Sequence, residues 1–139
     1  DYGWDQRGRL LERFPDIRLD DNATPFFRSA DRARLVVTDH PGTSMLELLA
    51  TNRPSIHFWD RTLWELRPEA EPAFDLLRRA GIVHDTPEAA AAQALRVHGD
   101  VRSWWLSPEV QEARRAFTAL YASTSNSWLD DWKHAILGR

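Results

Sequence analysis

The stretch LVVTDHPGTSMLELLATNRPSIHF, Leu35 to Phe58, decides the fold. It opens with a short apolar, β-branched run, which is typical of a buried parallel strand. A break at residues 39–42 follows, and then an apolar segment that predicts a helix over residues 43–51. Pro54 stops that helix, because proline cannot continue it, and a second strand is predicted after it at residues 55–59. The stretch therefore predicts a strand–helix–strand unit of a parallel sheet.

The rest of the chain continues this alternation of strands and helices. Short strands are predicted at residues 17–19 and 82–83, which brings the sheet to about four strands. Residues 1–14 are predicted to be irregular, and Gly81 is predicted to end a helix as its C′ residue. The remaining helices are predicted at residues 25–30, 69–80, 87–97, 101–106, 108–122 and from 128 onward. The pattern predicts an α/β fold, with a small Rossmann-like parallel sheet flanked by helices and a helical C-terminal tail.

The length of 139 residues suits a single α/β domain over residues 1–139. Residues 123–139 are predicted to close it with a Trp-rich helix, with Trp128 and Trp132 on one face. A sheet this small, followed by a helical tail, suits half of a two-domain α/β protein. Since the chain begins at Asp1 and its one Met is Met45, we expect sequence before it and an N-terminal domain as a partner.

Composition narrows the classes of function. The net charge of −3 argues against a nucleic-acid partner. Without cysteine there is neither a disulfide framework nor a thiolate metal site, and the five histidines lack ligand spacing, so no metal and no cofactor is expected. No apolar run approaches the roughly 20 residues of a membrane span. We expect a cytoplasmic protein, with peripheral membrane association left open.

The turn PGTSMLE is the first candidate site. Ligands of open parallel sheets bind beyond the carboxyl ends of the strands, and free N–H groups at a helix start attract phosphate. Gly42 allows close approach of a ligand, Thr43 and Ser44 add hydroxyl donors, and Glu47 is placed to accept hydrogen bonds from sugar or ribose hydroxyls. The structural alternative is a capping box formed by Ser44 and Glu47, which would occupy the same N–H groups.

Asp39 and His40 end the first strand at the same edge. His40 is a candidate general base or phosphate contact, because histidine titrates near neutrality. Asp39 is a weaker catalytic candidate that could equally well cap the turn. The alternative for both residues is a solvated turn, and no further catalytic residue is predicted.

The loop after the second predicted strand contains arginine and tryptophan candidates for binding a ligand. Arg61 or Arg67 is a candidate to neutralise a diphosphate, and Trp59 or Trp64 is a candidate to stack on a base or sugar. The alternative is a solvated loop, or one that faces another domain.

Three segments together carry a family resemblance: RLVVTDHPGTSMLELLATNRPSIHFWD, AEPAFDLLRRAGIVHDTPEAAA and DVRSWWLSPEVQEARRAFTALYA. In this combination the chain resembles the surface-carbohydrate (O-antigen) transferases of the LIC12162 type over nearly its whole length. More distantly, its strand–D-x-x-x-T-S–helix–x-x-P–strand unit is similar to the C-terminal half of GT-B glycosyltransferases.

The resemblance implies a domain that binds a nucleotide-sugar donor. Gly42, Thr43, Ser44 and Arg61 would then face the donor phosphates, and Glu47 would face a ribose or sugar hydroxyl. It also implies that acid/base residues lie in an N-terminal half, without which this part is inactive. Two alternatives remain open: a CDP-alditol phosphotransferase-like domain, and a non-catalytic α/β interaction module.

Overall fold

A computed structural model describes residues 3–20 and 23–138. The chain divides into two compact units, Asp1–Arg32 and Ala33–Arg139, and each is described by itself. The predicted single domain over residues 1–139 stays a prediction.

The N-terminal unit contains two helices, α1 (Gln6–Arg13) and α2 (Phe26–Arg32). Helix α1 corrects the prediction that residues 1–14 are irregular. It is started by Asp5, whose carboxylate accepts a hydrogen bond of 3.2 Å from the N–H of Gly8. An Asp at the N-cap position satisfies one of the N–H groups that a helix leaves unpaired, which explains a helix in a segment with little apolar periodicity.

The strand predicted at residues 17–19 is not formed. These residues are irregular, and the N–H of Ile17 is bonded to the carbonyl of Phe14 at 3.1 Å. That amide belongs to a local turn and is not offered to a sheet. Among the described residues the sheet therefore has three strands, one fewer than predicted.

The second unit is a parallel sheet with helices between its strands. The strands β1 (Val36–Thr38), β2 (Ser55–Phe58) and β3 (Val83–His84) lie in the order β1-β2-β3. Both strand pairs are parallel, and Thr38 lies opposite His57 in the register. The helices are α3 (Thr43–Ala50), α4 (Glu71–Arg79), α5 (Pro87–Val97), α6 (Val101–Trp105), α7 (Pro108–Tyr121) and α8 (Trp128–Leu137).

Two hydrophobic cores hold this unit together. The larger joins α3, α4 and α7, with Phe74 edge-on to Trp59 and Phe117 at centroid distances of 5.7 and 4.9 Å. The smaller joins β2 to α5 through Ile56, Ala90 and neighbouring apolar residues. Because side chains alternate along a strand, Ile56 belongs to one core while its neighbours in β2 face the other.

A left-handed residue ends α3 and turns the chain into β2. Asn52 has a φ of 56°. Its N–H is bonded to the carbonyl of Leu49 at 3.2 Å, and that of Arg53 to the carbonyl of Leu48 at 2.8 Å. This is the Schellman pattern, for which Asn is a common alternative to Gly. Gly81 ends α4 in the same way with a φ of 71°, which confirms its predicted position.

Side chains from α6 and α7 converge on the end of α3. The Oδ1 of Asn52 accepts hydrogen bonds from the Nε1 of Trp105 at 2.9 Å and the Nε2 of Gln111 at 3.0 Å. Arg114 donates from Nη1 to the carbonyl of Leu49 at 3.0 Å. Polar groups of three helices are therefore satisfied at one point, and this fixes α6 and α7 relative to α3.

One histidine lies fully buried in β2. The ring of His57 is bonded through Nδ1 to the Oγ1 of Thr38 at 2.7 Å and through Nε2 to the Oγ of Ser55 at 2.9 Å. Burial lowers the pKa of His57 to about 3. Both ring nitrogens have neutral partners, so the imidazole is uncharged at neutral pH.

The left-handed turn at Asn52 predicts an order of stability among variants. Asn52→Gly keeps the backbone conformation and loses the Oδ1 bonds, so we expect a loss of about 1 kcal/mol in the free energy of unfolding. Asn52→Ala loses the same bonds and also strains the left-handed backbone, so we expect roughly a further 0.5 to 1 kcal/mol. Urea denaturation measures both values; an Ala variant as stable as the Gly variant would contradict this account.

The buried histidine predicts a pH dependence. Between its ordinary pKa of 6.5 and its folded value of about 3, the unfolded chain binds a proton at His57 that the folded chain does not. The free energy of unfolding must therefore fall with decreasing pH in this window, by about 1.4 kcal/mol per pH unit from this residue. We expect His57→Gln to flatten the measured slope between pH 6 and 4 by about that amount. His134→Gln, at an exposed position in α8, serves as the control and should leave the slope unchanged.

Candidate functional site

The turn after β1 and the loop after β2 meet at the carboxyl edge of the sheet. His40, in the turn, and Trp64, in the loop, have ring centroids 6.3 Å apart at an interplanar angle of 40°. Trp64 is 52% exposed. Because the strands are parallel, both loops lie at the same edge of the sheet, and residues 24 positions apart in sequence form one surface. The predicted site lies at this edge.

The ring of His40 covers Gly42. Its Nδ1 lies 3.0 Å from the Oδ1 of Asp39, and about half of the His40 side chain is exposed. A Cβ built on Gly42 would lie only 2.5 Å from the Nε2 of His40. The backbone of Gly42 is extended, so its φ does not call for glycine, and only the ring of His40 stands where a Cβ would be. Any larger residue must displace the imidazole.

Helix α3 begins directly after this glycine without a side-chain cap. Gly42 is the N-cap residue, and no side chain accepts a hydrogen bond there. The predicted capping box is therefore wrong, because Thr43 already occupies the first helical position and Ser44 lies two residues after the N-cap. In the part of the chain that the structure describes, the N–H groups of Thr43 and Ser44 have no acceptor, whereas that of Met45 reaches the carbonyl of Gly42 at 3.0 Å.

The polar side chains of the first turn of α3 are accessible. Thr43 is exposed, and Ser44 and Glu47 are half-buried. Glu47 lies one helical turn after Thr43 and hence on the same face. Its carboxylate has no hydrogen-bonding or ion-pair partner within residues 3–20 and 23–138. The structure thus brings together five of the predicted site residues: His40, Gly42, Thr43, Ser44 and Glu47.

Arg61 has a partner of its own. Its Nη2 lies 2.5 Å from the Oε1 of Glu71 at the start of α4, and Glu71 also binds Arg78 at 3.0 Å. The guanidinium of Arg61 is therefore held at α4, and no contact brings it to the start of α3. Arg67, the alternative, is exposed and forms no ion pair with any described residue.

Trp59 is a core residue. It is 2% exposed and packs against Phe74 in the larger core, so its ring has no face to offer to a ligand. The exposed ring at this edge is that of Trp64. Of the two predicted stacking candidates, Trp64 is therefore the one with an exposed ring.

A row of three hydrogen-bonded side chains lies in β1 and β2, next to the turn. Thr38 directly precedes Asp39 and is bonded to His57, which is bonded in turn to Ser55. This row was not predicted from the sequence. The available signal was the S-x-H spacing in β2, which places both side chains on one face of the strand.

Two other polar residues near the carboxyl ends of β2 and β3 have hydrogen-bond partners within the chain. The carboxylate of Asp60 accepts bonds from the N–H and the hydroxyl of Thr62 at 2.8 and 2.6 Å, and these bonds lower its pKa. At the end of β3, burial lowers the pKa of His84, whose Nε2 is bonded to the carbonyl of Gly81 at 3.0 Å. Both groups hold loops in place.

The described residues hold neither a metal-binding cluster nor a membrane-spanning helix. They contain no group of three or more His, Asp or Glu side chains arranged to hold a metal ion. Within the same residues, no helix combines the length and apolar character needed to cross a bilayer.

Comparison with known proteins gives one finding. The family model described as LIC12162 family transferase matches residues 1–136. No curated protein and no solved structure matches the chain. Because the match covers nearly all of the 139 residues, the chain belongs to the LIC12162 family of transferases.

Proposed function

We propose that this chain is the donor-binding domain of a glycosyltransferase that builds a surface polysaccharide such as O-antigen, and that the start of α3 binds the diphosphate of a nucleotide sugar. The observation that carries the proposal is the uncapped start of α3 at the carboxyl edge of the parallel sheet. Membership of a transferase family supports group transfer as the chemistry.

The backbone is the main phosphate ligand in this proposal. The N–H groups of Thr43 and Ser44 donate to phosphate oxygens, and their hydroxyls add two donors. The helix dipole contributes a partial positive charge of about 0.5 at this end. Donors that are already oriented stabilise the negative charge that develops on the leaving nucleotide diphosphate without further reorganisation.

The surrounding residues fit the rest of such a donor. Trp64 offers an exposed ring for stacking on the base or sugar, and Glu47 offers a free carboxylate to a ribose or sugar hydroxyl. His40, paired with Asp39, is the titratable group beside the phosphate position, and both remain candidates for acid/base chemistry. Arg61 would have to leave Glu71 to reach the phosphates, so Arg67 is an equally good cation.

The proposal extends to the protein around this unit. A GT-B-like arrangement would place an N-terminal domain across the edge that carries His40 and Trp64, with acid/base residues on that domain. Such a protein would act in the cytoplasm on a nucleotide sugar, without a cofactor.

A non-catalytic interaction module is the second candidate, and α8 favours it. No described residue of α8 is buried, and Trp128 and Trp132 are 61% and 62% exposed. Both rings lie on one face of the helix, together with Ile136, as the sequence predicted. An apolar face of this kind is typical of a docking helix.

Thr43→Pro tests the proposed phosphate site at the backbone. Proline is tolerated at the first helical position, as Pro87 and Pro108 show in α5 and α7, but it removes the N–H. A hydrogen bond to a charged group contributes about 1.5 to 3 kcal/mol, so we expect roughly tenfold or greater loss of nucleotide-sugar affinity with a small change in melting temperature. Isothermal titration calorimetry of the full-length protein with UDP-, GDP- and CDP-linked sugars measures it.

Thr43→Val is the matched control, because it removes the hydroxyl and keeps the N–H. It should lose less affinity than Thr43→Pro. Unchanged affinity in the proline variant would exclude this turn as the phosphate site. Binding of CDP-glycerol in preference to every nucleotide sugar would favour the CDP-alditol phosphotransferase, and binding of no nucleotide would favour the interaction module.

A further inference from the structure

A second concave surface lies at the opposite end of the sheet. It is formed by Arg34 and Pro54, which precede β1 and β2, by residues 99–100 of the turn between α5 and α6, and by the first residues of α6. We call it the amino-edge groove. Its volume is about 470 Å³, within the range of about 300 to 1,000 Å³ that small-molecule sites occupy.

Two guanidinium groups line the groove. Arg34 is held in place because its Nη2 donates to the carbonyl of His98 at 3.0 Å. Arg102 lies in α6, is exposed, and has no ion-pair partner in the described part of the chain. Arginine donors in a fixed fork suit carboxylate and phosphate oxygens.

The carboxylate of Asp100, which lines the groove, is occupied. Asp100 accepts bonds from the N–H of Ser103 at 2.9 Å and from its hydroxyl at 2.6 Å. These bonds lower the pKa of Asp100, and the charges of Arg102 and Arg34 lower it further. Asp100 is therefore ionised and committed to starting α6. Two cations face one carboxylate, which leaves the groove with an excess of positive charge in a chain of net charge −3.

Apart from Asn52, the rest of the lining is mainly apolar. Leu106 is half exposed, Pro54 precedes β2, and the buried Trp105 also lines the groove. Gly99 has open space where a side chain would stand. Apolar lining beside two arginine side chains matches a ligand with an apolar body and an anionic end.

We propose that the amino-edge groove binds a small amphipathic anion, a carboxylate or a phosphate ester that carries a short apolar chain or ring. Arg102 and Arg34 bind the anionic end, and Leu106 and Pro54 contact the apolar body. The groove lies beyond the amino ends of β1 and β2, whereas His40 follows the carboxyl end of β1. Helix α3, about 12 Å long, runs between the two ends, so this site does not depend on the proposed function.

Hexanoate and hexyl phosphate test the class of ligand. Nitrogen-15 NMR titration of the full chain should show that one or both anions move the signals of the Gly99 amide and the Trp105 indole. Hexanol and hexylammonium, which share the chain without the anion, should bind at least tenfold more weakly. The better of the two anions identifies the source as a carboxylate or a phosphate ester.

Arg102→Gln should weaken binding of the preferred anion at least fivefold. Arg115→Gln removes the same charge from an exposed position on α7 and should leave the affinity unchanged. The Trp105 indole signal of each free variant reports whether the groove is intact. The proposal is overturned if neither anion moves the groove signals, if hexanol binds as well as the anions, or if Arg102→Gln binds like the unmodified protein.

Discussion

The hydrogen bonds at the C-terminal end of α3 are the constraint on which the second unit depends. Asn52 must adopt a left-handed conformation so that the chain can leave α3 and enter β2. In that conformation its side chain receives the Nε1 of Trp105 and the Nε2 of Gln111. A helix end buried without such partners would carry unpaired carbonyls, which cost free energy in a core. Helices α6 and α7 are therefore tied to the same point that sets the direction of α3.

The two ends of α3 differ chemically for this reason. Its C-terminal carbonyls are satisfied inside the protein by the turn at Asn52 and by Arg114, while its first N–H groups at Thr43 and Ser44 have no partner in the described chain. One face of the helix, formed by Met45, Leu48 and Leu49, is fully buried. The helix can neither shift nor rotate without exposing these residues, so the start of α3 stays at the carboxyl edge of the sheet.

Much of the fold follows from local sequence patterns. The site depends on which residue begins α3 and on which face of a strand each side chain lies. The run from Leu35 to Phe58 contains its own periodicity and stop signals, so its strand–helix–strand order could be predicted. The capping box could not be excluded from sequence, because a shift of two residues in the helix start separates a capped end from an open one. The burial of Trp59 could have been predicted, because Trp59 lies two residues after His57 and side chains two apart share a face of a strand.

A diphosphate at the start of α3 would meet too little positive charge within this unit. His57, just below the turn, is neutral because burial lowers its pKa to about 3. Arg61 is paired with Glu71, which leaves the dipole of α3 as the source of positive charge that the described structure places at this turn. A helix start contributes only about half an elementary charge, less than a diphosphate carries. The missing cations would have to come from a surface that closes over His40 and Trp64. This requirement fits the two-domain arrangement proposed for this chain.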